Sequence, residues 1–392
     1  MATYEFETLK KKYNLFERPI AVLRMADKDM GGDKGYPISD VEIDLTSGYE
    51  ASVAEFSLYQ VYNKETESFE VSAAVKKSIV PGAKAEIALG YGTMAELIFV
   101  GIVTRVSYRY EQDEIPCIRI SAMDVKGVMM AGSYSRQLTA VSYSAAVKEI
   151  LEKSAYADMQ GSGVIRGIRV TDTPDQPGPA PADGAAVTDR SVEMAAESDY
   201  EFVVKAARRY NYEFYTECGI VLFRKPKADR DIRIVINPGC GLYRFDISYD
   251  VTGLINKVTV RATDPGRAKV ISSQVKNRAA LPGRTKALLK GSEKVYIDVS
   301  ADSREETGYR ADSLMEDISY RYGSLECEVQ GLPEYLPGYF VEVSGVGKGA
   351  DNLFYITRAV HRLSKDGRYT VKLEGRASGE KDAGKGGADG LI

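Results

Sequence analysis

Tryptophan is absent from this chain, and histidine occurs once, at His361. A single histidine excludes a multi-histidine metal site within one chain, and with it the H-E-x-x-H arrangement. Any Ser–His or Cys–His nucleophile would have to use that one residue. Cysteine is sparse as well. Cys117, Cys218, Cys240 and Cys327 stand far apart, and no C-x-x-C occurs. Neither a zinc knuckle nor a thioredoxin-type site is indicated, and reduced, mostly buried thiols are expected. No uninterrupted apolar window of about 18 residues exists, so no transmembrane helix is expected. The opening residues, Met1 to Phe16, lack the apolar centre of a signal peptide, which points to synthesis in the cytoplasm. The net charge of −4 gives no global basic field for nucleic acid. No cofactor or metal is expected, and no catalytic or binding residue is nominated.

What is present is an ordinary globular composition with an excess of tyrosine. The 392 residues allow two or three domains, 44% are apolar and 28% charged, and there are 26 tyrosines. Tyrosine joins apolar area to a hydroxyl and suits strands and interfaces. The first third is a series of short alternating or β-branched runs. They are Pro19 to Met25, Val41 to Leu45, Glu55 to Val61, Ala85 to Leu89, Leu97 to Tyr110 and Pro116 to Met123. Gly31-Gly32, Pro81-Gly82, Gly90 and Gly92 punctuate them. Many short strands with regular turns imply a sandwich or barrel, placed at residues 1–133.

A helical region follows. Tyr143, Ala146, Val147, Ile150, Leu151 and Ser154 share one helical face, with Ser142 or Ser144 as cap. Asp172 to Ala186 is dense in Gly, Pro, Asp and Ala and reads as an exposed loop. Ser198 to Pro226 then carries the clearest local pattern. Ser198 and Glu201 have capping-box spacing, and Phe202, Val203, Ala206, Ala207 and Tyr210 recur on one face. Tyr212 to Thr216 and Ile220 to Arg224 read as a hairpin turning at Cys218-Gly219, with Pro226 as the stop. This insert spans 134–231, with its Gly/Pro-rich loop at 161–188.

The last part returns to β structure, over 232–377. Strand patterns are Ile232 to Ile236, Tyr243 to Tyr249, Leu254 to Ala262, Leu325 to Val329, Tyr339 to Val343, Phe354 to Leu363 and Arg368 to Leu373. Within it, 263–324 holds a basic segment, Arg267 to Lys294, and a helix capped by Ser303, with Ala311, Leu314, Met315, Ile318 and Tyr322 on one face. The basic segment reads as a solvated linker, with contact to an acidic partner or passing nucleic acid as the other reading. The remainder, 378–392, is too rich in Gly, Lys and Asp to build a core. The fold class is α+β, mainly β.

Three sites with some chemical content have blander explanations. Gly345 to Gly349 lacks phosphate-loop spacing and precedes a strand rather than a helix, so it reads as a hairpin connection. His361 lies in a strand whose alternation puts Tyr355, Thr357, Ala359, His361 and Leu363 on one face and Ile356, Arg358, Val360 and Arg362 on the other. It reads as a partly buried, hydrogen-bonded histidine. The acid pairs Asp113/Glu114 and Glu305/Glu306 are adjacent residues or helix starts, the latter explained by the macrodipole.

The helix–hairpin stretch Ser198 to Pro226 resembles the central signature of the late control gene D family, baseplate hub proteins of contractile tails, tailocins and related injection systems. The resemblance extends to the end of the chain. Gly331, Pro333, Pro337 and Gly338 match a G-x-P-x-x-x-P-G turn. Tyr355, Ile356, Val360 and His361 match the following strand, and Gly367, Tyr369 and Thr370 match its hairpin partner. About two thirds of the chain is covered, and the motifs are structural rather than catalytic.

The resemblance implies two tail-tube-like β-barrel domains, at 1–133 and 232–377, flanking the insert. It implies a homotrimer whose ring of six barrels adapts a six-fold tail tube to a three-fold central spike. It also implies baseplate wedge proteins as neighbours, a place in a virion or tailocin baseplate, and no enzymatic activity. No spike follows in this sequence, so a separate spike protein is expected, with Ser378 to Ile392 docking on it or on a neighbouring subunit. Membrane insertion and specific nucleic-acid binding are not expected. The competing reading is a β-rich carbohydrate-binding or hydrolytic tail-associated protein. The scarcity of histidine and of clustered carboxylates argues against hydrolysis, and the lack of tryptophan mildly against sugar binding.

Overall fold

The computed structural model describes residues 3–31, 35–175, 192–227, 230–264, 269–298, 301 and 303–381. It is mainly β, with eight α-helices among the described residues. A 13-stranded sheet is the backbone of the molecule. From one end it runs Leu242–Tyr249, Gly323–Gln330, Tyr369–Ala377 and Asn352–Leu363, then Ile38–Thr46, Val53–Leu58 and Cys117–Met123. It continues through Met94–Arg109, Lys84–Tyr91 and Pro19–Met25 to the short Lys28–Asp29. Phe340–Val343 pairs with Asn352–Leu363, and Ile232–Ile236 lies parallel beside it.

The two terminal regions therefore share one sheet. They join where Arg358–Leu363 lies antiparallel to Val41–Thr46. Across that joint the Arg358 guanidinium donates to Asp44 Oδ1 at 2.8 Å, and Arg362 donates to Glu42 Oε2 at 2.7 Å. One apolar cluster, from Leu9 to Ala377, underlies both regions. The helix Phe6–Lys12 covers part of it, placing Leu9 and Tyr13 inside. The sequence had given no reason to expect a helix there, because only one of its seven residues is buried.

The insert has its own core, built on Tyr143–Leu151, Asp199–Tyr210 and the hairpin Glu213–Glu217/Ile220–Arg224. Between the two candidate caps the roles divide. Ser142 Oγ accepts from the Ala145 amide, while Ser144 exchanges two hydrogen bonds with Thr173, at 2.9 and 3.0 Å. The expected loop Asp172 to Ala186 lies outside the described residues from 176 onward.

The basic segment is not a linker. Lys269–Lys276 and Glu293–Ile297 flank Lys257–Asp264 in a three-stranded sheet, and Gly283–Leu289 is a short helix. The helix Arg304–Ser319 packs on one face of this sheet and closes a third core of Leu254, Val258, Val260, Ala311, Met315 and Ile318. The basic segment's described lysines and arginines are solvent-facing, Lys269, Lys276 and Lys294 on the strands and Arg284 and Lys286 on the helix. That is why the segment's charge hid its periodicity.

Candidate functional site

Three separated sequence motifs meet in one buried polar knot. His361 is fully buried, not partly. Its Nε2 lies 2.8 Å from the Tyr335 carbonyl, which can only accept, so Nε2 carries the proton. Nδ1 is then bare and accepts from the Tyr369 hydroxyl at 2.8 Å. Both ring nitrogens are used, and no acidic or nucleophilic group shares them. Burial pushes the imidazole down to about 4.

The strand does not alternate as its sequence suggests. The register with Tyr369–Ala377 shifts between Ile356 and Arg358. Phe354 and Ile356 therefore face the core before the shift, and Ala359, His361 and Leu363 face it after. A β-bulge of this kind reverses the parity of every later side chain.

The glycines of the turn motif have steric reasons. A Cβ on Gly331 would stand 2.2 to 2.5 Å from the Tyr369 ring, so the ring lies flat on bare backbone. Gly338 has φ +86°, and a Cβ there would meet Tyr215 Oη at 2.3 Å. From the first region, the Tyr91 hydroxyl donates to the Gly331 carbonyl at 2.8 Å, and the Tyr13 hydroxyl donates to Glu334 Oε1 at 2.8 Å. The knot therefore fastens the N-terminal helix and the first strands to the last strands.

The knot yields a pH prediction. In the unfolded chain the imidazole titrates near 6.5, and in the fold near 4. Between those values the unfolded state binds more protons, so stability falls as pH drops through that window. The expected loss is about 3 kcal/mol for full protonation. Urea unfolding at pH 7 and pH 5 is expected to show about 2 kcal/mol of that loss, and His361→Gln is expected to flatten the difference. An unchanged pH slope in that variant would contradict the assignment.

The helix–hairpin insert is clamped on three sides. Its own geometry is set locally. Ser198 Oγ accepts from the Glu201 amide at 3.1 Å, and Glu201 Oε2 accepts from the Ser198 amide at 2.7 Å, completing the capping box. Such a cap contributes about 1 kcal/mol. Cys218 and Gly219 both take positive φ, 49° and 83°, as a two-residue hairpin turn requires.

On the first side, the Asp124 carboxylate accepts from the Ser52 amide at 3.0 Å and the Thr216 hydroxyl at 2.7 Å. The Lys126 ammonium donates to the carbonyls of Gly48, at 3.2 Å, Glu50 and Phe214, and lies 3.8 Å from Asp124 Oδ2. Both side chains are wholly buried, and burial holds the Lys126 amine below its ordinary range. On the second side, Arg224 donates to the Gly338 carbonyl at 2.6 Å and to Glu213 at 3.3 Å, and the Tyr355 hydroxyl donates to Glu213 at 2.5 Å. Burial raises the Glu213 carboxyl. On the third, Arg209 reaches Glu306 at 2.8 Å, and Arg310 donates to the Arg208 carbonyl at 2.7 Å. Nothing in the sequence near Met123 to Lys126 marked the first clamp, because an Asp and a Lys after a strand are commonplace at a surface.

The remaining candidates resolve plainly. In the Gly345 to Gly349 loop, Asp351 Oδ1 accepts from the Val346 and Gly347 amides at 2.9 and 3.1 Å. The loop's donors thus already hold the chain's own carboxylate, which they keep below the usual range. Asp113 and Glu114 sit at the exposed tip between two strands, and Glu305 and Glu306 occupy the first turn of a helix. All four cysteines are free thiols, and burial pushes Cys218 and Cys327 up to about 12. Among the described residues no cluster of His, Cys, Asp and Glu could hold a metal, and no helix is long and apolar enough to cross a membrane. An open cleft of about 860 Å³ beside the sheet joint is lined by Asp44, Glu213, Lys227, Arg358 and Glu374. Within it Arg358 pairs with both Asp44 and Glu374.

The architecture has close counterparts. A tail protein from Neisseria meningitidis MC58 superposes with a TM-score of 0.64 at 13% identity, over 93% of this chain and 97% of that one. The fold is that of phage tail proteins. A 43 kDa tail protein of prophage MuSo2 from Shewanella oneidensis matches at 0.63 and 12% identity, over 93% and 99% of the two chains. A component of the type VI secretion system of E. coli, described as structurally similar to T4 bacteriophage tail proteins, matches at 0.56 and 9% identity, over 91% and 76%. A family model described as the Alg8 N-terminal domain matches residues 34–163. That span is about a third of the chain, ending before the hairpin, and assigns no family. No curated protein matches the sequence.

Proposed function

We propose that this chain is a structural baseplate hub of a contractile tail or injection machine, of the late control D type. On this reading three copies form a ring that adapts a six-fold tube to a three-fold spike. Each copy contributes two tube-like units, 1–133 and 232–377, and the insert 134–231 braces them. The partners are a separate spike, the tube or its initiator, and baseplate wedge proteins, within a virion or tailocin. Catalysis has no part in it.

The observation that carries the proposal is the likeness in fold to a tail protein over 93% of this chain and 97% of that one. The buried knot and the three clamps support it. The residues that the motifs single out make a stiff joint, with both His361 nitrogens already bonded. A part that transmits force between a tube and a spike needs rigidity of that kind.

The test is the mass of the complex formed when the chain is co-expressed with the adjacent spike gene. A stable assembly of three hubs and three spike chains is expected. A monomer that ignores the spike would overturn the hub reading and leave only the fold.

A further inference from the structure

The long sheet ends unequally. At one end is the two-residue strand Lys28–Asp29, short and charged, which blunts that edge. At the other is Leu242–Tyr249, eight residues long, with neither lysine nor proline. It pairs with Gly323–Gln330 on one side, and among the described residues no strand pairs with its other side. Five of its residues are exposed, including Tyr243 at 54% and Phe245 at 40%. A long open edge with exposed aromatics is a template for another strand.

The charges on this edge are unbalanced in a specific way. Asp246 stands opposite Glu326, a like-signed neighbour, and Lys372 serves Glu326 from the far side at 3.2 Å. Like charges directly opposite each other destabilise a strand pair. Among the described residues Asp246 has no cation within 4 Å, and Arg244, two positions away on the same face, stands opposite Glu328 without an ion pair inside 4 Å. Phe245 and Ile247 lie on the other face, opposite the buried Cys327 and Leu325, so they carry the core's apolar surface to the edge.

We propose that this edge pairs antiparallel with the same strand of a second copy, about a two-fold axis at Phe245. In that register each Arg244 stands opposite Asp246 of the second copy, and the missing cation arrives. Phe245 stands opposite its own counterpart, so the apolar face meets itself at the axis, while Tyr243 sits at the register shift between Leu242 and Arg244 and its hydroxyl donates to Gln330. Such a contact is isologous and closed, which limits the assembly to two copies. It does not depend on the hub reading. On the hub reading a two-fold contact cannot close the three-fold ring, and the contact would then belong to the free chain and open before ring assembly. Until then it covers the edge most prone to non-specific pairing.

The experiment is sedimentation velocity of the full chain alone, over a concentration series. A dimer is expected for the unaltered protein. R244D and D246R each set like charges against each other across the axis and are expected to weaken association roughly tenfold or more. The double variant R244D/D246R restores opposite charges in the same register and is expected to restore the dimer. Phe245→Cys is expected to give a disulfide-linked dimer on oxidation, lost when combined with R244D. Circular dichroism checks that these edge variants fold. A monomer at every concentration, association unaffected by either single charge variant, or failure of the double variant to rescue would each overturn the proposal.

Discussion

Replacing Lys126 with methionine is expected to loosen the insert by about 3–5 kcal/mol, the usual cost of removing one partner of a buried ion pair. The ammonium serves three carbonyls, of Gly48, Glu50 and Phe214, and the bond to the last of them is buried. Asp124 would stay buried, with its hydrogen bonds from Ser52 and Thr216 but without a countercharge. The loss is local, so hydrogen exchange is the suitable measurement. Amides of Glu213–Glu217 and Ile220–Arg224 are expected to exchange about a hundredfold faster, the rate equivalent of about 3 kcal/mol of opening energy. The double variant D124N/K126M is expected to cost less than the sum of the singles, because it removes the uncompensated charge. Exchange at unchanged rates in Lys126→Met would mean that the clamp is not what holds the hairpin.

The second large effect is expected at Gly338. Gly338→Ala must place a methyl 2.3 Å from Tyr215 Oη and 2.6 Å from Arg224 Nη2, at a φ of +86°. The backbone penalty alone is about 1–2 kcal/mol. Displacing Tyr215 and breaking the Arg224 contact with the Gly338 carbonyl should bring the total to about 3 kcal/mol or more. Gly367→Ala is the control. Its φ is +75°, but nothing lies within 4 Å of the added carbon. It should therefore lose only the conformational part. Urea midpoints of the two variants separate the contributions, and equal losses would remove the steric account.

Much of the architecture could be read from the residues alone, where the signal was local. Pro19–Met25, Ile220–Arg224 and Ile232–Ile236 fall where alternation placed them. The caps at Ser198 and Ser303 each accept from the amide three residues on. What escaped the sequence was non-local. The parity reversal near Thr357 depends on how two strands register, which no window along the chain contains. The sheet beside the helix Arg304–Ser319 needs Lys257–Asp264 to meet Glu293–Ile297 in parallel, across an intervening strand and helix. At the site, the glycine and proline spacing of residues 331–338 was visible as a motif, but its reason was not. That reason is the Tyr369 ring and the Tyr215 hydroxyl, which arrive from 38 residues later and 123 earlier than the glycines they touch. The tail start behaves similarly. Glu380 donates its amide to the Ala280 carbonyl at 2.9 Å and Asn352 donates to the Gly379 carbonyl at 2.8 Å, so residues 379 and 380 are held by this chain itself. Residues 382–392 of that expected docking segment lie outside the described residues.

The joint between Arg358–Leu363 and Val41–Thr46 also sets an order of events during synthesis. Arg358 and Asp44 lie 314 positions apart. At a translation rate of about 5–20 residues per second, the early strand waits at least about 15 seconds for its partner to leave the ribosome. Throughout that interval its backbone donors and acceptors on that side have no strand to meet. The nascent chain thus carries an open seam until Arg358–Leu363 has been made.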